Sequence, residues 1–99
     1  MKIVYAVPWI EVEFGQRPEG YSIFTDLKDC IKKTLAASKR GASPSGMYCG
    51  PERPLHYYEV PFEVLEDGVK EKLAMFNATK AHSSNCWSPS MKSDPKIIK

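Results

Sequence analysis

The sequence lacks any apolar run near the roughly 20 residues that a membrane-spanning helix requires. Its best stretch, Ala6 to Ile10, is a few residues long and carries Pro8 inside it. A transmembrane helix and a membrane partner are therefore not expected. Cysteine is scarce as well: Cys30, Cys49 and Cys86 are odd in number, widely spaced and without a C-x-x-C pair, which argues against a disulfide framework and for a reducing compartment. Charge of one sign is not in excess. Lys+Arg number 14 against 12 Asp+Glu, a net +2, and a nucleic-acid partner would need a concentrated local patch rather than this mild surplus. A phosphate-cradling glycine motif is absent too, because Lys39 to Gly46 holds basic residues and glycines in the wrong order and Pro44 removes a backbone N–H. The first residues, Met1 to Pro8, enter an alternating pattern directly, with neither a long apolar segment nor a small-residue cleavage site. The expected location is cytoplasmic, and for such a chain the glycosylation triplet Asn77-Ala78-Thr79 carries no weight.

What is present is the composition of one folded domain: 99 residues, 42% hydrophobic and 26% charged. Ile3, Tyr5 and Val7 alternate with Val4 and Ala6, and beyond Pro8 the alternation resumes through Ile10, Val12 and Phe14. Proline cannot donate to a ladder, so Pro8 is expected at an edge, a bulge or a bend between two strand halves. Gly15 to Gly20 has the chemistry of a hairpin loop, with a second strand following at Tyr21 to Phe24. Leu27, Cys30, Ile31, Thr34, Leu35 and Ser38 fall on one helical stripe, Thr25 and Asp26 precede it, and Lys39, Arg40 and Gly41 close it, which predicts a helix from about Asp26 to Arg40. The glycines, prolines and serines from Gly41 to Pro54 predict a long loop. Leu55 to Val60 reads as an aromatic strand, and a second helix is expected from Asp67 to about Asn77.

The expected fold is α+β: a small antiparallel sheet in the order β-β-α-β-α, with one or two helices on one face and the second helix joining that layer or packing at an edge. Residues 1–80 are expected to form the domain. Residues 81–99, rich in Ser, Pro and Lys, are expected to be a partly mobile tail whose Cys86-Trp87 and Ile97-Ile98 could dock on the body or on a partner.

Four residues could form a zinc site: Cys49, His56, His82 and Cys86. The His82-x3-Cys86 spacing suits a metal, but the interval from Cys49 to His56 does not match a short knuckle, so no metal or other cofactor is expected. A Cys49 nucleophile with His56 or His82 as base lacks a third, orienting residue. Glu11 and Glu13 lie on one strand face with Trp9 nearby and read as the wet side of a sheet rather than an acid–base pair. With no catalytic set assembled, an enzyme is not expected. Lys32, Lys33, Lys39, Arg40 and Arg53, with Tyr48, Tyr57 and Tyr58 for stacking, supply the ingredients of an anion or nucleic-acid site. Helix C-termini repel phosphate, however, and lysines ordinarily form the solvated face of an amphipathic helix.

Met1 to Val7, followed after a loop by Gly20-Tyr21-Ser22-Ile23-Phe24-Thr25-Asp26-Leu27 and an amphipathic helix, resembles small phage or prophage accessory proteins. The likeness covers roughly the first forty residues and part of Leu55 to Val60. It departs in the proline-rich loop and the serine-rich tail, and it brings no site residue with it. It implies a stand-alone factor, in a host cytoplasm if phage-encoded, that binds and inhibits or redirects a host enzyme or a defence component. The function expected is therefore non-enzymatic protein binding, through Trp9, Met47, Tyr48, Arg53, His56, Tyr58, Trp87 and Met91, the aromatic, Met and Arg types favoured at contact centres. The alternative is a nucleotide or nucleic-acid binder, and an exposed sheet edge would also permit a homodimer.

Overall fold

The computed structural model describes residues 2–11, 17–40, 49–75, 80–83 and 94–98. Six antiparallel strands appear among them: β1 (Ile3–Glu11), β2 (Arg17–Phe24), β3 (Cys49–Pro51), β4 (His56–Pro61), β5 (Lys80–Ser83) and β6 (Lys96–Ile97). They form one sheet in the order β5-β2-β1-β4-β6, with β3 also paired to β1. Two helices, α1 (Leu27–Arg40) and α2 (Asp67–Met75), complete the α+β architecture.

The strand holding Pro8 is unbroken and central. β2 runs along one side of β1, while the other side is shared: β4 pairs with Ile3 to Ala6, and β3 pairs with Trp9 to Glu11. Pro8 falls in the gap between those two partners, where its carbonyl accepts a 2.9 Å bond from the Glu52 N–H. In a strand the N–H and C=O of a residue point the same way, so the donor that proline lacks would face the point where one neighbouring strand gives way to the other. A bulge does occur, on β2: Trp9 pairs with Gly20 and Ile10 with Pro18, so Glu19 is the extra residue. Gly20 stands beside it at φ 110°, a conformation that excludes a Cβ at low cost.

The helices lie on opposite faces of the sheet. Val4 and Ala6 of β1, Ile23 of β2 and Val60 of β4 pack with Leu65 and with Val69 and Leu73 of α2. Val7, Phe24 and Tyr57, one position out of phase, pack with Cys30 of α1, and Tyr5, Trp9, Leu27, Ile31 and Leu35 border them. The second helix thus does not join the α1 layer; it packs on the opposite face, next to the edge strand β5. The cause is legible in β1, whose two alternating sets are both apolar; a strand of that kind must be covered on both sides. Each fully buried aliphatic or aromatic side chain here contributes about 1.5–3 kcal/mol.

α1 begins where its caps predict. The Asp26 carboxylate accepts the Asp29 N–H at 2.9 Å, and the Asp26 carbonyl accepts the Cys30 N–H at 2.9 Å. At the other end the Arg53 guanidinium donates to the Ser38 carbonyl at 3.1 Å, placing a cation against the negative end of the helix dipole.

Three strands depart from the expected pattern. β3 lies inside the predicted long loop, because the end of β1 beyond Pro8 offers a ladder to a segment with little strand propensity of its own. β5 and β6 lie largely in the stretch read as tail: β5 borders β2, and β6 pairs its Ile97 and Lys96 with His56 and Tyr57. Ile98 is buried against Tyr57 and the α1 cluster, its N–H bonded to the Leu55 carbonyl at 2.9 Å, and Lys96 pairs with Glu59 at 3.6 Å. Phe62–Val64, between β4 and α2, forms a single 3-10 turn. Lys2 lies 4.8 Å from the Phe62 ring centroid. No helix among the described residues is long and apolar enough to cross a membrane.

Candidate functional site

Tyr21 and Tyr58 stand on either side of β1, on the face that α2 covers only in part. The register sets Tyr21 of β2 opposite Pro8 and Tyr58 of β4 opposite Ala6. Strands separated by one neighbour are about 10 Å apart, twice the interstrand spacing. Pro8, itself half-buried, therefore lies in a shallow trough between the two half-buried tyrosines, while Ala6 beside it is fully buried. Both tyrosines also pack against the buried cluster that includes Ala6 and, from α2, Val69 and Leu73.

His56 and Glu52 complete the trough. The His56 ring meets Tyr58 edge-on at 5.4 Å between centroids and 85° between planes, as expected for neighbours two apart on one strand face. Its Nδ1 lies 2.6 Å from the Pro54 carbonyl, and since a carbonyl only accepts, Nδ1 carries the proton. Nε2 is left facing the Glu52 carboxylate, 3.9 Å away, and that carboxylate side chain is 43% exposed. Burial, first, then the nearby Tyr58 phenol and the Glu52 carboxylate raise the Tyr21 pKa above its ordinary value. Two phenol oxygens and a carboxylate are thus close enough to act on one another, in a setting that disfavours further negative charge.

The structure divides the residues that the sequence singled out. His56 and Tyr58 share the trough. Trp9 does not: odd-numbered positions of β1 face α1, and Trp9 is half-buried there. Arg53 is turned toward the C-terminal end of α1. Met47, Tyr48, Trp87 and Met91 lie outside the described residues. The sequence reading missed Tyr21 and Glu52. Tyr21 could have been noticed as the same-face neighbour of Ile23, but its placement diagonally across β1 from Tyr58 requires the knowledge that β1 separates β2 from β4.

The basic set is likewise dispersed relative to the tyrosines. Lys32, Lys33 and Lys39 are exposed on α1, across the sheet from Tyr58, and Lys33 is paired with Asp29 at 3.2 Å. Arg40 ends the same helix. Of the four zinc candidates, Cys86 is outside the described residues. Cys49 starts β3 opposite Glu11, while His82 stands opposite Ser22 in β5, three strand spacings, about 14 Å, from the β4 that carries His56. Among the described residues no group of three or more His, Cys, Asp or Glu is arranged to hold a metal. Cys30 is buried between α1, to which it belongs, and the sheet, with its thiol pushed up to about 11 chiefly by burial, which keeps it protonated and a poor nucleophile.

Comparison of the chain with protein-family models, with curated proteins and with solved structures finds no match.

Proposed function

We propose that this protein is a non-enzymatic binding module that holds a protein partner at the trough formed by Tyr21, Tyr58, His56 and Glu52. The observation that carries the reading is the convergence of two half-buried tyrosines with a histidine and a carboxylate on one sheet face. Tyrosines of this kind offer a large amphipathic contact area with few rotatable bonds to immobilise, the reason they dominate contact centres. The site is fitted to recognise rather than to react: His56 Nδ1 is committed to a backbone carbonyl, and Cys30 is sequestered between α1 and the other face of the sheet. In the form implied by the resemblance to phage accessory proteins, the partner is a host or defence protein that the module inhibits or redirects.

The nucleic-acid reading is the weaker one, because Tyr58 lies on the face opposite the α1 cations, Tyr57 is buried beneath α1 and a carboxylate beside His56 repels phosphate. Affinity capture from nuclease-treated host lysate at low and high salt tests the choice. A protein retained at 0.5 M salt, about where screening is nearly complete, and lost with Tyr21→Ser/Tyr58→Ser supports the proposal. Recovery of nucleic acid from untreated lysate that falls steeply with salt, is indifferent to the tyrosine changes and is lost with Lys32→Ala/Lys39→Ala would replace it.

A further inference from the structure

Residues 94–98 lie along the edge of β4, held by a short ladder and a single buried side chain. Antiparallel β6 pairs Lys96 with Tyr57 and Ile97 with His56, and a further bond runs from the Ile98 N–H to the Leu55 carbonyl at 2.9 Å. Asp94 to Ile97 are exposed, and Ile98 alone is buried, in the cluster that holds Tyr57 and Cys30 and is bordered by Leu55. Lys96 meets Glu59 at 3.6 Å between partly exposed side chains, a pair of small worth in water. One aliphatic side chain and a two-residue ladder thus oppose the conformational entropy of ordering the whole segment, and the two sides are close to balance. Segments with so few buried apolar contacts open locally without unfolding the rest.

We infer that the edge of β4 is a strand-acceptor surface for an extended segment of a protein, and that residues 96–98 are its resident, displaceable occupant. The resident shows what fits. Backbone groups of Leu55 to Tyr57 supply an antiparallel ladder that any extended chain can use, and the place of Ile98 in the core selects an aliphatic side chain; strand addition divides affinity and specificity in this way. Glu59 favours a basic residue two positions before the aliphatic one. Left bare, the edge would expose unpaired backbone beside the apolar Tyr57 site, a template for unspecific pairing, and residues 96–98 cover it in the absence of a partner. Lys96 and Ile98 lie on the α1 side of the sheet, whereas Tyr58 belongs with the α2 side. This surface is therefore separate from the tyrosine trough and does not rest on its reading.

The first arm of the test uses the unaltered full chain. Amide hydrogen exchange at Ile98 should be at least about ten-fold faster than at the slowest amides of β1 and β2, as local opening requires. Equal rates would show that the segment leaves only on global unfolding and would overturn the inference. The second arm titrates a labelled peptide, Ser-Asp-Pro-Lys-Ile-Ile-Lys, the sequence of residues 93–99, against the full-length Ile98→Asp protein, whose own segment is undocked. The expected result is saturable binding with NMR shifts at Leu55 and Tyr57, at least about ten-fold tighter than to the wild-type chain, where the tethered segment competes. The same peptide with Ile98→Asp should not bind, and with Lys96→Glu it should bind about two- to five-fold more weakly. Absent binding, binding indifferent to Ile98→Asp in the peptide, or shifts confined to other strands would overturn the inference. A concentration-dependent dimer of the wild-type chain that Ile98→Asp abolishes would replace the partner segment with that of a second copy.

Discussion

Val4 and Val7 lie three residues apart on β1, both with no exposed surface, one beneath α2 and the other beneath α1. Truncating each to alanine tests whether both faces of the sheet are core. Val→Ala removes two methyl groups, worth roughly 0.8 kcal/mol each by transfer. A residual cavity of about 40 Å³, at ~24 cal/mol per Å³, adds about 1 kcal/mol. Each variant should therefore lose about 2–3 kcal/mol. With a urea slope of roughly 1–2 kcal/mol/M for a chain of this size, the unfolding midpoint should fall by about 1–3 M in both cases. Ile3 on the same strand is 36% exposed, and Ile3→Ala should cost about 1 kcal/mol or less, since much of its surface already meets water. Equilibrium urea denaturation followed by far-UV circular dichroism measures all three. A sheet covered on one face only would make either Val4 or Val7 behave like Ile3, and that result would refute the placement of one helix on each face.

Two glycine substitutions should act in opposite directions. Gly68 lies in the first turn of α2 with open space where a Cβ would project, so Gly68→Ala should stabilise by about 0.5 kcal/mol. Gly20→Ala, at φ 110° beside the β2 bulge, should destabilise by about 1–3 kcal/mol, and equal signs in urea melts would contradict the backbone geometry. For Cys30 the folded state raises the thiol from 9.0 to about 11. The fold therefore binds this proton more tightly than the unfolded chain does, and the linked stability is present below pH 9 and lost as pH rises from about 9 to 11. That loss amounts to about 3 kcal/mol; Cys30→Ala should flatten the difference in urea midpoint between pH 8 and pH 10.5, and an unchanged slope would show the thiol to be accessible. Arg53→Ala should remove about 0.5–1 kcal/mol by uncovering the C-terminal carbonyls of α1. Faster amide hydrogen exchange in the last turn of that helix would report the change, and exchange left at the wild-type rate would exclude the capping role.

The division between what the sequence determined and what the tertiary structure decided follows the range of the forces involved. α1 is specified locally: an aspartate cap, a stripe at 3.6-residue spacing and basic residues at its end all lie within about four turns, and the helix forms as they predict. β1, β2 and the aromatic strand β4 were also legible, since alternation and β-branched or aromatic content are properties of a few consecutive residues. The apolar character of both alternating sets in β1 even held the reason for covering both faces, although not which helix would cover which. β3, β5 and β6 carried no comparable signal. Cys49–Pro51 and Lys96–Ile97 pair only because β1 and β4 present ladder edges from distant parts of the chain, and the stabilising contact of β6 comes from the neighbouring Ile98, which enters a core built by β1, β4 and α1. The candidate site belongs to this second category. His56 and Tyr58 share a face by local alternation alone, but Tyr21 joins them only when β1 is inserted between β2 and β4, and Glu52 reaches His56 through the bend between β3 and β4. Hydrogen-bond pairing between segments far apart in sequence fixes those positions, and local patterns contain no information about which edges will meet.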